Sequence, residues 1–469
     1  MSQIISTYCQ RMCSGTCGIR VHLSGGRITR IEGDPDSPFN RGHICPKARA
    51  LPELLYHPDR LTRPLVRTGA KGEGHWRPAS TDEALEIIAR RLEEIGTDFG
   101  PESILLYEGA YRGLERPAIQ RLASVLGTPN TVSVDNVCHA PRKIASRYTY
   151  GGWAVPDYDH PPRCLLVWGR NSLQTGGDAP PARFHRAFDG GTRFIVVDPR
   201  KISLASRADV WLTPRPGSDG LLALGLLHVI VHEELYDQAF VSRWTVGFER
   251  LRAWLNAYPL DEVARRTWVP ASQIRAAARL YATSGPAAIQ WGNAVDQTGN
   301  AFQTARALAI LRAITGNLDV PGGDIFREAL PLRGRDDFAP AREPGKDRPA
   351  QVGSQYTLAA EARIVPSQEA SRAILSDRPY LLKAGLILGS NPLLTYPNAQ
   401  ETYRALRKLD MLIVAELFMT PTAALADIVL PVAASLEYDD LVDHAGFLAA
   451  RPKILDPPGE CLSDLQWIN

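Results

Sequence analysis

Residues 164–171 read Cys-Leu-Leu-Val-Trp-Gly-Arg-Asn, and residues 194–200 read Phe-Ile-Val-Val-Asp-Pro-Arg. Each stretch begins with a short apolar run that is typical of a buried strand and then turns polar. Further strands are predicted at residues 103–107, 288–291, 386–388 and 411–415, and helices at 84–95, 117–126, 220–234, 301–315 and 399–409. Because strands that alternate with helices form parallel sheets covered on both faces, the sequence predicts an α/β fold.

Residues of the kind that bind ligands follow these strands, where open parallel sheets place their binding sites. They are Gly169 and Asn171, Asp198 and Arg200, Gly389, Ser390 and Asn391, and Glu416, with Gly217 and Asp219 at the start of the helix at 220–234. Any one of these sets alone is better explained by turn and cap chemistry. Their recurrence favours a large nucleotide-like ligand. No G-x-G-x-x-G follows a strand and no P-loop motif occurs, which argues against ordinary NAD or ATP binding.

Four of the seven cysteines, Cys9, Cys13, Cys17 and Cys45, lie within the first 45 residues. Four thiolates suit either zinc or a [4Fe–4S] cluster, and a set of buried thiols without metal is the remaining alternative. Structural zinc usually takes two tight pairs, so three clustered cysteines and a distant fourth favour the iron–sulfur cluster. Residues 19–23 and 27–31 alternate apolar and polar side chains around two glycines, which predicts a β-hairpin. A hairpin would return the chain so that Cys45 completes the site.

The composition of the 469 residues is that of a folded protein, with 44% hydrophobic and 22% charged residues. The 53 basic and 51 acidic residues give a net charge of +2, which offers no argument for a nucleic-acid partner. No apolar run approaches the roughly 18 residues of a membrane helix, so no direct membrane span is expected. The N-terminus has no basic-then-apolar signal region, and the predicted location is therefore the cytoplasm.

Further motifs accompany the cysteine pattern and the strand ends. They are Cys45-Pro-Lys47, Asn136-Val-Cys-His139, Trp168-Gly-Arg-Asn171, Val197-Asp-Pro-Arg200, Pro216-Gly-Ser-Asp219, Thr315-Gly-Asn317 with Gly322-Gly323, Leu388-Gly-Ser-Asn-Pro392 and Leu425-Ala-Asp-Ile-Val-Leu-Pro431. Jointly they resemble the molybdopterin oxidoreductases of the dimethyl-sulfoxide-reductase family, and the resemblance covers essentially the whole chain. Members of that family carry molybdenum or tungsten on two pyranopterin guanine dinucleotides.

The resemblance implies a role for each of these residues. Cys9, Cys13, Cys17 and Cys45 would bind the [4Fe–4S] cluster, and Lys47 would lie on the electron path between cluster and pterin. Gly169, Asn171, Asp198, Arg200, Gly217 and Asp219 would contact one dinucleotide, and Gly389, Ser390, Asn391 and Glu416 the other.

Cys138 would be the protein ligand to the metal, because family members supply Ser, Asp, Cys or selenocysteine at that place. A soft thiolate suits a metal already held by dithiolene sulfurs. His139 follows directly, and a neutral imidazole beside a substrate could take a proton. Considered alone, Cys138 would more often be a small buried thiol.

The resemblance also implies a domain organisation. Residues 1–62 would form the iron–sulfur domain, and two Rossmann-like α/β domains would follow. Residues 63–134 and 329–469 would build the first α/β domain, with the second inserted at 135–328. The family's C-terminal barrel-like domain is expected to be absent from this chain, either missing or supplied by another polypeptide.

The implied reaction is two-electron redox chemistry at the metal, with the cluster passing electrons to a ferredoxin-like or iron–sulfur partner. The sequence Cys138-His139 resembles formate dehydrogenases, in which a Cys or selenocysteine is followed by His. However, the segment after Gly323 lacks their arginine-bearing signature, and Arg327, Arg333 and Arg335 cannot be assigned. A sulfur compound such as polysulfide or thiosulfate therefore stays open as the small-molecule substrate.

Two alternatives use the same motifs differently. An acetylene-hydratase-like enzyme would use the metal to activate water without net redox chemistry. That branch carries an Asp immediately after the second cluster cysteine, whereas this chain has Ser14 there, which weakens the idea. The other alternative is a non-catalytic iron–sulfur subunit whose pterin site has degenerated.

Overall fold

The computed structural model describes residues 2–9, 16–111, 113–175, 181–326, 350–444 and 447–469. The described chain divides into two compact units. The first contains the chain up to Asn136 together with the described residues from 350 onward, and the second contains the described residues from Val137 to 326. The second unit is therefore inserted, in the order of the sequence, between the two parts of the first.

The strands are β1 (Ser2–Tyr8), β2 (Gly18–Ser24), β3 (Arg27–Gly33), β4 (Leu65–Arg67), β5 (Trp76–Pro78), β6 (Ile104–Glu108), β7 (Thr131–Ser133), β8 (Ala154–Pro156), β9 (Cys164–Trp168), β10 (Arg193–Val197), β11 (Val210–Leu212), β12 (Ala287–Trp291), β13 (Asp324–Phe326), β14 (Ala384–Leu388), β15 (Met411–Glu416), β16 (Ile428–Pro431), β17 (Asp440–His444) and β18 (Phe447–Arg451). The helices are α1 (Pro46–Arg49), α2 (Leu51–Leu55), α3 (Thr81–Phe99), α4 (Glu115–Leu126), α5 (Ala140–Tyr150), α6 (Pro181–Asp189), α7 (Asp219–His232), α8 (Gln238–Trp244), α9 (Phe248–Leu255), α10 (Leu260–Thr267), α11 (Ala271–Thr283), α12 (Ala301–Ile314), α13 (Thr357–Ala362), α14 (Ser367–Ser376), α15 (Pro392–Thr395), α16 (Ala399–Lys408) and α17 (Asp464–Ile468). Every strand and helix predicted from the sequence is present among them.

The N-terminal part of the first unit is an antiparallel sheet in the order β1-β2-β3. Gly25 and Gly26 connect β2 to β3 with φ of +56° and +76°, which glycine adopts without steric cost. Ile19 and Val21 of β2 are buried and pack with Ile44 and Leu51 in a small apolar core. The hairpin predicted from the sequence is therefore present. The sequence did not predict β1, which pairs with β2 along its whole length.

The main sheet of the first unit has seven strands in the order β5-β4-β16-β15-β14-β6-β7. The strands from β16 to β7 are parallel to their neighbours, and β4 and β5 extend the sheet in antiparallel pairing. All residues of β6 and β14 are buried, which explains their continuous apolar runs. Helix α3 begins at Ser80, whose side chain accepts the backbone N–H of Glu83, and it ends at Gly100 with φ of +83°.

The second unit contains a parallel four-stranded sheet in the order β11-β10-β9-β12. Its core joins strand residues such as Leu166 and Ile289 to the faces of α7, α11 and α12. Leu222, Leu226 and Ile230 of α7 are fully or almost fully buried. This burial explains the long apolar run at residues 221–231. It also agrees with the finding that no helix among the described residues is long and apolar enough to cross a membrane.

Each parallel sheet carries a pair of glycines where two neighbouring strands end. A Cβ on Gly109, after β6, would lie 1.9 Å from the carbonyl oxygen of Gly389, after β14. A Cβ on Gly292, after β12, would lie 2.2 Å from the carbonyl oxygen of Gly169, after β9. No side chain fits at Gly109 or Gly292, because the backbone of the neighbouring strand end already occupies the space that a Cβ would take. We call these two sets the glycine pairs.

Candidate active site and cofactor sites

Cys9 and Cys17 lie side by side in the N-terminal sheet. Cys9 follows β1 and Cys17 precedes β2, and the N–H of Cys9 donates to the carbonyl of Cys17 at 2.8 Å. Both side chains are buried in the apolar core that also contains Ile44 and Ala48. Cys45, which is half-buried, lies between these last two residues in the sequence, so two of the four predicted ligands lie in this core and a third is adjacent to core residues along the chain. The fourth, Cys13, lies outside the described residues.

Cys45 and Lys47 stand at the start of the short helix α1. Cys45 is its N-terminal flanking residue with an extended backbone, and the half-buried Lys47 follows within the helix. Within the described ranges, no three His, Cys, Asp or Glu side chains are close enough together to hold a metal ion by themselves.

Two carboxylates stand at the carboxyl edge of the four-stranded sheet. The indole N–H of Trp168, the last residue of β9, donates to Asp219 Oδ1 at 2.8 Å and ties it to the strand. Asp219 is the first residue of α7, and Gly217 just before it has φ of +83° with open space around it. Asp198 follows β10, is 5% exposed, and accepts the backbone N–H of Arg200 at 2.8 Å. Asp219 and Asp198 are thus both held at this edge by hydrogen bonds from the protein.

Asn171 lies at the same edge, after Gly169. Its Nδ2 donates to Gln174 Oε1 at 2.8 Å, which leaves Oδ1 as the free side of the amide. That oxygen is buried and has no hydrogen-bond partner among the described residues. A buried acceptor without a donor costs free energy unless a ligand supplies one. The chemistry of this edge therefore fits a dinucleotide, which offers N–H and O–H donors on its base and sugar.

The carboxyl edge of the seven-stranded sheet carries Gly389, Ser390 and Asn391. Ser390 is buried, and Asn391 Oδ1 accepts the hydroxyl of Thr422 at 2.5 Å. Glu416 ends β15, where its Oε1 accepts the N–H of Leu417 at 2.7 Å. Burial raises the pKa of Glu416 above its ordinary value. The predicted residues of the second dinucleotide site thus all follow strands of one sheet.

A carboxyl group that the sequence did not single out stands at this edge as well. Glu108, the last residue of β6, is 2% exposed, and its Oε2 has no hydrogen-bond partner among the described residues. The guanidinium of Arg116 lies 3.5 Å from its Oε1, but burial is the larger effect and raises the pKa of Glu108. The end of an apolar strand at a ligand-binding edge was the signal that could have identified it.

Cys138 and His139 lie just before α5 in the second unit, and both are half-buried. The side chain of Asn293 approaches the sulfur of Cys138, with Nδ2 and Sγ 3.7 Å apart. The His139 ring meets Trp153 edge-on at 4.7 Å between ring centroids, and Trp153 stacks on Trp291 at 5.7 Å. Cys138 and His139 are thus flanked by aromatic rings and an amide. The sequence motifs did not point to Asn293 or Trp153.

Family models account for almost the entire chain. The model of the molybdopterin oxidoreductase Fe4S4 domain matches residues 2–57, and the model described as molybdopterin oxidoreductase matches residues 60–469. The chain belongs to the molybdopterin oxidoreductase family. Members of this family are oxidoreductases, and the two models imply a molybdenum- or tungsten-pterin cofactor and a [4Fe–4S] cluster in this chain.

Among the relatives of this family member, acetylene hydratase of Syntrophotalea acetylenica is 33% identical over 97% of this chain and 67% of the hydratase. Formate dehydrogenase H of Escherichia coli is 31% identical over 97% of this chain and 66% of the dehydrogenase. The structure of acetylene hydratase from Pelobacter acetylenicus superposes with a TM-score of 0.89 and 30% identity, covering 99% of this chain and 68% of that one. The chain spans about two thirds of the length of these relatives.

The predicted fold class is supported in its coarser form: an α/β chain with an N-terminal Fe4S4 domain. Arg327, Arg333 and Arg335, the nearby arginines that the sequence did not assign to a formate dehydrogenase signature, lie outside the described residues. The relatives have different activities, so family membership leaves the reaction of this chain to be proposed.

Proposed function

We propose that this chain is a molybdenum- or tungsten-dependent oxidoreductase that performs two-electron chemistry on a small substrate, with formate the first candidate. The observation that carries the proposal is the adjacent pair Cys138 and His139. A soft ligand and a proton acceptor follow one another there, both half-buried and therefore still accessible from one side.

Each residue would perform a separate task. Cys138 would bind the metal through its thiolate, and His139, held edge-on by Trp153, would take the proton that leaves the substrate. The pterin-bound metal supplies the two-electron chemistry when it is present. Lys47, two residues after the cluster ligand Cys45, would supply positive charge near the electron path.

The same proposal assigns the two sheet edges to the two dinucleotides. Gly169, Asn171, Asp198, Arg200, Gly217 and Asp219 would hold one, and Gly389, Ser390, Asn391 and Glu416 the other. The buried Oδ1 of Asn171, which has no partner among the described residues, supports the first assignment. The position of most of these residues at the carboxyl ends of parallel strands supports both, because open parallel sheets bind ligands at that edge.

Acetylene hydration is a second candidate function, favoured by the similarity to acetylene hydratase in both sequence and structure. Ser14 argues against it, since the resemblance described from the sequence places an acidic residue there in that branch. The two functions differ in electron flow. Oxidation of formate must deliver two electrons to an acceptor, whereas hydration of a triple bond delivers none.

The test begins with anaerobically purified protein and its metal, iron and pterin content. A [4Fe–4S] cluster predicts about four iron atoms per chain and an S = 1/2 electron paramagnetic resonance signal after reduction. Turnover is then measured with formate, thiosulfate, polysulfide and acetylene, each with and without an artificial electron carrier. Carrier-dependent conversion of formate or of a sulfur compound supports the proposal. Carrier-independent conversion of acetylene supports the hydratase instead, and full iron without pterin supports a non-catalytic subunit.

The electron partner stays a prediction: a ferredoxin-like protein or an iron–sulfur subunit. The cytoplasm likewise remains the predicted location.

A further inference from the structure

The loop after β12 is fixed by its backbone. The N–H of Gly292 donates to the carbonyl of Trp168 at 2.9 Å. A Cβ on Gly292 would overlap the carbonyl oxygen of Gly169, so the ends of β12 and β9 approach closely. The carbonyl of Asn293 then accepts the N–H groups of Asp296 and Gln297, both at 3.0 Å. Two hydrogen bonds to one carbonyl close a tight turn, so the Cα of Asn293 has a defined position.

The orientation of the Asn293 amide follows from its second neighbour. Asn293 Oδ1 accepts a hydrogen bond from Arg142 Nη2 at 2.9 Å. A guanidinium only donates hydrogen bonds, so the oxygen of the amide must face Arg142. The NH2 group must then face the other way, where it approaches Cys138 Sγ at 3.7 Å. The sulfur therefore meets a donor and not a carbonyl oxygen.

Arg142 is itself immobilised. Its Nη1 donates to the carbonyl of Trp291 at 2.9 Å, and its Nε lies 2.5 Å from Asp296 Oδ2. Asp296 Oδ1 also accepts the backbone N–H of Arg142 at 3.1 Å. Both Arg142 and Asp296 are only 3% exposed. A buried ion pair with these additional hydrogen bonds holds one geometry, although it need not add stability over an apolar pair.

From this chain of contacts we propose that Asn293 is a positioning residue for the sulfur of Cys138, to which it donates an N–H···S hydrogen bond. The inference rests on the proposed function, in which that sulfur binds the metal. A hydrogen bond to a coordinating thiolate withdraws electron density from the sulfur and favours the reduced metal, as at other sulfur-ligated centres. Asn293 would therefore hold the sulfur in one orientation and, with the metal bound, would raise its reduction potential.

Simple packing does not explain this arrangement. Asn293 is exposed in the second unit, so its side chain fills no core. An exposed amide normally exchanges its partners with water, yet here a buried arginine fixes one end and leaves the other end at the sulfur. Arg142 and Asp296, which hold the amide, form a buried charged pair. Burial of such a pair costs free energy, and the fixed amide gives it a role.

Two replacements of nearly equal shape separate the possible roles. Asn293→Asp keeps an oxygen for Arg142 but removes the donor to the sulfur, and Asn293→Leu removes both. Both variants should lower the midpoint potential of the metal and change its electron paramagnetic resonance spectrum, Asn293→Asp more because it places a negative charge beside the sulfur. The potential and signal of the iron–sulfur cluster should not change. Asn300→Leu, an exposed asparagine at the start of α12, is the matched control and should leave both centres unchanged.

The comparison is made at equal metal and pterin content. If Asn293→Asp behaves as the original protein while Asn293→Leu does not, the amide serves only to hold Arg142, and the inference is wrong. It is also wrong if neither variant moves the metal potential. Cys138→Ser separates this failure from that of the proposed function. Should Cys138→Ser leave the metal spectrum unchanged, the ligand assignment fails; should it change the spectrum while the Asn293 variants do not, only the role of Asn293 fails.

Discussion

The two parallel sheets share a backbone feature but surround their carboxyl groups differently. Each ends in a glycine pair at which two strand ends approach closely. In the four-stranded sheet the carboxylates at that edge have donors close by: Asp198 accepts a backbone N–H, and Asp219 accepts the Trp168 indole. In the seven-stranded sheet Glu108 is buried and Glu416 is half-buried, and burial raises the pKa of both.

The difference shows that the backbone and the charges of such an edge are set independently. A carboxylate accepts N–H groups, whereas burial favours the neutral carboxylic acid, which can itself donate a hydrogen bond. Near an anionic ligand, a protonated acid also avoids like-charge repulsion. Asp464, the first residue of α17, is a further carboxyl group of the first unit with a raised pKa. Burial and the neighbouring Glu115 raise this pKa to about 7.

The largest effect should come from Cys138, beside the four-stranded sheet. Cys138→Ala should lose most turnover at equal cofactor content, because the metal loses its proposed protein ligand, while iron content and the reduced-cluster signal stay unchanged. Cys164→Ala is the matched control in the same unit. Cys164 is fully buried at the start of β9, where burial raises its thiol pKa to about 12, so its loss should cost some stability but no turnover. Unchanged turnover and metal spectrum in Cys138→Ala would reduce Cys138 to a core thiol.

The glycine pairs provide the second test, since they are what the two sheets share. Gly292→Ala and Gly109→Ala should each cost at least about 1–3 kcal/mol, because the new Cβ overlaps backbone that cannot move aside. Gly96→Ala is the control: a Cβ there, inside α3, meets nothing within 4 Å, and it should gain up to about 1 kcal/mol. The measurement is the thermal unfolding midpoint of each of the three variants, compared with that of the original protein. A harmless Gly292→Ala or Gly109→Ala would mean that the sheet edges can separate.

The third test concerns the protonated acids of the first unit. The folded pKa of Asp464, about 7, lies above that of an unfolded chain, so the unfolded state releases its proton first as pH rises. Asp464 therefore reduces stability progressively between about pH 4 and pH 7. Asp464→Asn should show a thermal midpoint advantage over the original protein that grows from pH 5 to pH 8. Exposed Asp456, whose pKa is lowered by Lys453, should give no such gain in Asp456→Asn. If the midpoint advantage of Asp464→Asn did not change with pH, the pKa of Asp464 would not be raised in the folded protein.

The smallest effect on stability should come from Arg200, whose guanidinium is 75% exposed and lies 3.7 Å from Asp198. Arg200→Ala should change the free energy of unfolding by no more than about 1 kcal/mol, since exposed ion pairs contribute little. It should nevertheless lower pterin content if Arg200 contacts a dinucleotide. Arg193→Ala, at the opposite end of β10 and paired with Asp209, is the control and should leave pterin content unchanged. Equal pterin loss in both variants would indicate a general defect in folding or cofactor loading and not a contact between Arg200 and a dinucleotide.

Sequence patterns predicted the parts of the fold that local residues determine. Apolar runs such as residues 164–168 and 411–415 are strands because they are buried on both faces, and that burial is visible in composition alone. By contrast, β1 is mostly exposed and is defined by its pairing with β2. Its seven residues carry no continuous apolar pattern from which a strand could be predicted.

The candidate site likewise contains residues that the sequence could predict and residues that it could not. Ligand-type residues at strand ends were visible because the edge of a parallel sheet is a general binding place. Asn293 was not visible, because its contact with Cys138 joins residues 155 positions apart and depends on Arg142 for its direction. Glu108 was overlooked because a glutamate after an apolar strand looks like an ordinary strand end. Only the burial of its side chain makes it unusual.

The order of strands in the seven-stranded sheet has a consequence for synthesis on the ribosome. Strand β6 pairs with β14, so Ile104 must wait for Ala384 before it finds its neighbour. The four-stranded sheet is complete once β12 has emerged, well before β14 is translated. The inserted unit can therefore fold early in translation, while β6 stays without one of its partners. A largely apolar strand with one edge unpaired for that long is a natural binding site for chaperones, and premature release at this stage should lead to aggregation.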